Sequence, residues 1–133
     1  PLAAASIVGS IDAMKEEKII ENAASIGENV LGPGLRELAE KHPVIGEVRG
    51  LGVFWALDLV INRETREPLA PYGGTSQAMT DLVTECKKRG LMPFANFNRM
   101  HVVPPCVVTE AEAREGLEIL DQAFSAIDSY YQG

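Results

Sequence analysis

Residues 53–61 read Val-Phe-Trp-Ala-Leu-Asp-Leu-Val-Ile, nine positions of which only Asp58 is polar. The run is bounded by Gly50 and Gly52 on one side and Asn62 on the other, too short for a globular helix and rich in aromatic and β-branched side chains, so it is a strand. Alternation places Val53, Trp55, Leu57, Leu59 and Ile61 on one face and Phe54, Ala56, Asp58 and Val60 on the other. Both faces are largely apolar, which predicts a central strand covered on two sides. Gly50 and Gly52 predict a tight bend or bulge where the backbone runs close to a neighbour. Whatever else the chain does, it must build a sheet around these nine residues.

The flanking sequence supplies helices to cover it. Residues 2–15 form an apolar helical pattern, and a second runs from Glu17 to Lys41 with Ile19, Ala23, Ile26, Val30, Leu35 and Leu38 on its inner stripe. Gly32-Pro33-Gly34 predicts a kink or break in that helix, because proline lacks a donor and clashes with the preceding turn. His42 precedes Pro43 and reads as a last-turn residue favoured by the helix dipole. After a polar loop over 62–74, a helix is expected from Thr75 to Arg89 with Ala78, Met79, Leu82 and Cys86 inward and Gly90 as its stop. Two short strands follow, Leu91 to Phe94 and Met100 to Val103, the second ended by Pro104-Pro105. Thr109 and Glu112 make a capping box for a last helix, whose stripe is Ala113, Leu117, Leu120, Phe124, Ile127 and Tyr131. Helices on one face of a small, mostly antiparallel sheet, an α+β fold, is the economical arrangement.

Composition excludes several function classes. The net charge is −7 and the densest basic run, Lys87-Lys88-Arg89, sits at a helix end, so no surface tracks a phosphate backbone and no nucleic-acid partner is expected. No run of 18 apolar residues occurs, and no membrane partner is expected. Two cysteines without CxxC spacing and two distant histidines give neither a disulfide framework nor a metal site, and favour the cytoplasm.

The opening segment, PLAAASIVGSIDAM, carries no charge before Asp12. A helix apolar on most sides needs cover on most sides. A domain of this size cannot supply that cover together with its own core. The expectation is a piece of a longer chain, with residues 1–16 as a junction helix and 17–133 as a small domain.

Chemistry-bearing motifs are missing. GxGxxG, P-loop, HExxH and GxSxG patterns do not occur, and the glycines of Arg49-Gly50-Leu51-Gly52 precede a strand instead of opening a helix. Arg49 reads as a structural residue, in an ion pair or on a carbonyl, ahead of a substrate contact. Cys106 and His101 lie five residues apart on an extended stretch, about 16 Å at full reach, so a Cys–His pair needs a fold-back. Lys15, Lys18, Lys41, Lys87 and Lys88 fall on amphipathic helices or at their ends, away from apolar pockets that would neutralise an amine. No catalytic residue is assigned.

Four ordered blocks, PLAAASIVGSIDAM, HPVIGEVRGLGVFWALDLVINRETREPL, CKKRGLMPF and NRMHVVPPCVVTEAEAREGLEILDQAF, together span the chain. In order and spacing they resemble the C-terminal small domain of class III aminotransferases of the ornithine, 4-aminobutyrate and omega type. The resemblance implies a parent enzyme that carries pyridoxal 5'-phosphate on a lysine in an N-terminal large domain. Such an enzyme moves an amino group from an amine or ω-amino donor to a 2-oxo acid and works as a homodimer. It also implies that these residues alone are inactive and bind no cofactor. Many relatives carry an arginine three residues before the double proline, a bidentate clamp for the donor's α-carboxylate. Here that position is His101, which lacks the planar fork. Arg99 lies one pleat away, about 7 Å along the strand. The candidate substrate-binding residues are therefore His101 and Arg99. Loss of the clamp implies donors of the taurine, β-alanine or 4-aminobutyrate type. The reading from another class is a free-standing ferredoxin-like regulatory or assembly module without catalysis.

Overall fold

A computed structural model describes all 133 residues, Pro1–Gly133. Five helices and five strands follow one another as α1 (Leu2–Glu16), α2 (Ile19–Ile26), α3 (Gly32–Lys41), β1 (Ile45–Leu51), β2 (Phe54–Asn62), β3 (Glu67–Pro68), α4 (Gln77–Lys88), β4 (Phe94–Asn96), β5 (Arg99–Val102) and α5 (Glu110–Ser125). The main sheet runs β1-β2-β5-β4, all neighbours antiparallel, with β3 a short partner of β2. The inner face of the sheet gives Trp55, Leu57, Leu59 and Met100 to a core completed by Leu35, Leu82, Leu120 and Phe124 from the helices. The α+β architecture is the expected one.

Coverage differs from expectation. β2 is central, but only one face of the sheet carries helices. On the other, Leu51, Phe54 and Phe94 are exposed. Of the β2 residues expected on that second face, Val60 is buried, Ala56 and Asp58 are partly covered and Phe54 is exposed. β1 is a second departure, since Ile45–Leu51 was not expected as a strand of its own. It pairs with β2 through Glu47↔Asp58, Arg49↔Ala56 and Leu51↔Phe54 around a tight turn at Gly52, whose φ of 55° is left-handed.

The expected break at Gly32-Pro33-Gly34 does not occur. Instead, residues Gly27–Leu31 form a single π-helical turn, and the Gly32 amide donates to the Gly27 carbonyl five residues back. The extra residue shifts the register so that Pro33 lies in the first turn of α3, where a missing donor costs nothing. The expected strand at Leu91–Phe94 is displaced to Phe94–Asn96; Pro93 has no amide to donate to a ladder, and pairing begins only after it. The capping box is present in full, with Glu112 Oε2 accepting from the Thr109 amide at 2.9 Å and Thr109 Oγ1 from the Glu112 amide at 3.3 Å.

Two side chains fasten the C-terminal end of α3. Arg63 donates to the carbonyls of Ala39, His42, Pro43 and Ile45, answering acceptors that the helix end leaves open. His42 is the C-cap of α3, at the helix end as expected, and it is buried there. It is 1% exposed, with Nδ1 2.7 Å from Asp128 and Nε2 2.9 Å from Asp121.

α1 stands apart. None of its residues is buried, although Leu2, Ile7, Val8, Ile11 and Met14 are large and apolar. It joins α2 through Lys18, which sits in the left-handed region at φ 50°.

The two cysteines differ in environment. Cys86 is fully buried and burial pushes its thiol up to about 11, whereas Cys106 is exposed. Because the thiolate is the reactive form, iodoacetamide at neutral pH should label Cys106 alone, with Cys86 labelled only after denaturation. Peptide mass mapping of both states checks this.

Candidate functional site

Antiparallel pairing decides which side chains share the open face of the sheet. Arg99 lies opposite Asp58 on β2 and Asn96 on β4, while His101 lies opposite Ala56 and Phe94. Residues two apart on a strand point the same way, so Arg99 and His101 share this face, as the alternation predicted. β1 adds Glu47 and Arg49, opposite Asp58 and Ala56.

One half of the face is ionic. Asp58 is shared by Arg49 and Arg99, the latter with Nε 3.6 Å from Oδ1, and Glu47 accepts from Arg66 at 2.8 Å and lies 3.7 Å from Arg49. Arg49 thus makes the ion pair expected of it, and Arg99 is already engaged with a carboxylate. The other half is aromatic. The His101 ring lies 5.2 Å from Phe94 and 6.2 Å from Phe54, centroid to centroid, tilted and edge-on respectively. Phe54 and Phe94 are 61% and 65% exposed, so the half-buried imidazole sits between two rings that face solvent. Sequence reasoning placed Arg99 and His101 on one face but missed Phe54 and Phe94 as neighbours of His101. Their proximity is set by register between β2, β5 and β4, and no local pattern signals it.

An apolar cavity of about 300 Å³ opens between β5, the Pro104-Pro105 segment and α5, lined among others by Met92, His101, Val103, Pro104, Val108 and Leu117. Cys106 and His101 form no contact with one another; the Cys106 carbonyl accepts from Asn22 at 2.8 Å, which ties this loop to α2.

The lysines do not fit the role of carrying an aldehyde cofactor. Lys41 is bound to Asp121 at 2.6 Å and Lys88 to Glu85 at 2.8 Å; Lys15, Lys18 and Lys87 lie exposed on helices or between them. None is in the apolar surroundings that would favour a neutral amine. The N-terminus of α5, the other conceivable anchor for a phosphate, is filled by the Glu112 carboxylate.

Residues 1–124 match the family described as aminotransferase class-III. Among curated proteins, the chain is 31% identical over 131 residues to ethanolamine-phosphate phospho-lyase homolog 1 of Caenorhabditis elegans, covering 96% of this chain and 27% of that protein. It is likewise 31% identical over 134 residues to the taurine–pyruvate aminotransferase of Bilophila wadsworthia, covering 96% and 28%. Among solved structures, the taurine:2-oxoglutarate aminotransferase of Bifidobacterium kashiwanohense, in complex with PLP and glutamate, superposes with a TM-score of 0.85 at 30% identity, over 92% of this chain and 27% of that one. The chain thus spans little more than a quarter of the length of these relatives. A family match across 124 residues, on a sheet and helices that superpose on a solved aminotransferase, places this chain in the class III aminotransferase family.

Proposed function

We propose that residues 17–133 are the C-terminal small domain of a pyridoxal-phosphate-dependent aminotransferase and that residues 1–16 are the helix joining it to a large domain. The parent moves an amino group from an amine or ω-amino donor to a 2-oxo acid. The relatives' names support amino transfer, and one of them, a phospho-lyase homolog, marks the family as chemically broader. In this reading the cofactor carries the group transfer. The residues described here select the donor and help exclude water when the domain closes over the site.

The observation that carries the donor class is His101. It occupies the place three residues before Pro104-Pro105, on the open face. Arg99 is one pleat away and bound to Asp58. His101 contacts the donor in this reading, and Arg99 sets the positive potential behind it.

Two measurements test the proposal. In the intact enzyme, His101→Arg should raise kcat/KM for α-amino acids relative to ω-amino donors by about tenfold, the worth of a bidentate charge-assisted pair. An unchanged ratio removes His101 from donor recognition. Borohydride reduction of the 133-residue chain in the presence of pyridoxal phosphate should label no one lysine stoichiometrically. Complete labelling at a single one of the five contradicts the assignment of the cofactor lysine to another part of the parent.

A further inference from the structure

We infer that Asn22 is a positioning residue for the donor site: its side-chain amide sets the course of residues 103–108 and so holds His101 at the end of β5. The inference rests on the aminotransferase reading and adds to it a residue outside the sheet.

The ladders give out where His101 stands. Its partner on β4, Phe94, is the first residue of that strand, and pairing with β2 stops one residue later at Trp55↔Val102. The course of the next segment therefore decides how the end of β5 is aimed. That segment has little to hold it. Pro104 and Pro105 lack amide donors, and the Val108 amide closes one backbone bond within it, to the Pro105 carbonyl at 2.9 Å. Val103, Cys106 and Val107 are exposed. Between β5 and α5 lies the apolar cavity of about 300 Å³, and the Cβ position of Gly116 on its α5 wall meets nothing within 4 Å. Packing from the cavity side leaves the segment room to shift.

Asn22 supplies what packing does not. Its Nδ2 donates to the Cys106 carbonyl at 2.8 Å and to the Val108 carbonyl at 3.0 Å, and both side-chain hydrogen bonds that the segment receives come from this one nitrogen. The two contacts use both N–H groups of the amide, whereas a carboxylate of the same shape would turn acceptors towards both carbonyls. Asn22 itself stands on a firm base. α2 ends at buried Ile26, and the next residue, Gly27, packs directly on the Gly52 backbone. Support thus runs from the β1–β2 hairpin to α2, from Asn22 to the segment, and from there to His101.

A double-mutant cycle in the intact, cofactor-loaded enzyme tests this, with the best of 4-aminobutyrate, β-alanine and taurine as donor and pyruvate as acceptor. Asn22→Ala should lower kcat/KM for the donor by about tenfold when His101 is present, mostly through KM, and by less than about twofold in a His101→Ala background. Hydrogen exchange over residues 100–102 should become faster in Asn22→Ala, and Asn22→Asp should lose at least as much activity. Equal losses in both backgrounds mean a structural role alone and overturn the inference, as do no loss in either and unchanged exchange over 100–102. His101→Ala without effect on the donor overturns it too, since nothing is then left to position. Should Asn22→Ala fail to fold, Asn22→Gln, which keeps both N–H groups on a longer arm, carries the same cycle, with a smaller loss that again vanishes beside His101→Ala. An enzyme that is folded and loaded yet turns over no amino donor overturns the aminotransferase reading itself.

Discussion

Gly27→Ala is expected to destabilise the chain by about 3 kcal/mol, lowering its melting temperature by about 10 °C. A Cβ at Gly27 would lie 2.0 Å from the Gly52 carbonyl oxygen and 2.4 Å from the Gly52 carbonyl carbon and Cα. These are backbone atoms of the hairpin turn, and they are pinned in turn by the Trp55 indole, which donates to the same Gly52 oxygen at 2.6 Å. No rotamer change relieves the clash. The π-helical turn must move away from the β1–β2 hairpin, opening the packing of Val30, Leu31 and Trp55. Gly116→Ala is the contrasting substitution, because nothing lies within 4 Å of its Cβ position and it occupies the middle of α5. It should stabilise by about 0.5–1 kcal/mol through helix propensity. Urea unfolding of the two variants beside the parent sequence checks both. Gly27→Ala within about 0.5 kcal/mol of the parent sequence would mean that the hairpin does not sit on Gly27.

His42→Leu should cost about 3 kcal/mol, the lower part of the range for breaking a buried charged cluster, since Asp121 and Asp128 keep roughly a third of their side-chain surface in water. Both ring nitrogens face carboxylate oxygens, so the substitution takes from Asp128 Oδ2 its only side-chain partner, while Asp121 keeps Lys41. Asp128 Oδ1 is already buried with no partner, which leaves that residue no alternative bond to fall back on. The cluster joins the end of α3 to α5 and to the 3₁₀ turn at Asp128–Tyr130, and its loss should loosen the C-terminal turn first. Hydrogen exchange at Tyr130 and Tyr131, whose amides bond back to Ile127 and Asp128, reads that directly.

The same cluster sets an acid limb. Lys41, and after it His42, hold the Asp121 carboxyl below its ordinary range. A carboxylate depressed in the folded state contributes stability that is full above its unfolded value near 4 and is lost as pH falls through the folded value. Removing His42 should therefore lessen the fall in stability below about pH 4, and removing Lys41, the larger cause, should lessen it more.

The elements legible before the structure was known are those whose signal is local. The stripe of α5, the Thr109–Glu112 capping box, the inward Cys86 of α4 and the alternation of β2 each depend on residues within a turn or a pleat of one another. β1 was missed because its outward residues are Glu47 and Arg49 and its inward ones include glycine, so Ile45–Leu51 lacks apolar alternation until β2 is beside it. The break predicted at Gly32-Pro33-Gly34 followed from the chemistry of proline. It failed because a π turn absorbed the missing donor, and that turn is stabilised by contact with Gly52, 25 positions beyond Gly27.

Similar logic divides the site. Position along β5 was enough to put His101 and Arg99 on one face and to leave the double proline at its end. The occupation of Arg99 by Asp58, the enclosure of His101 by Phe54 and Phe94, and the burial of His42 between Asp121 and Asp128 required strands and helices to be paired. From sequence alone came the α+β class, the helix and strand faces, and the likeness to class III aminotransferases, because periodicity and motif order survive without a third dimension. Tertiary structure decided which apolar face is covered and which charges are already spent on one another, because those partners lie tens of residues apart and meet only through register and packing.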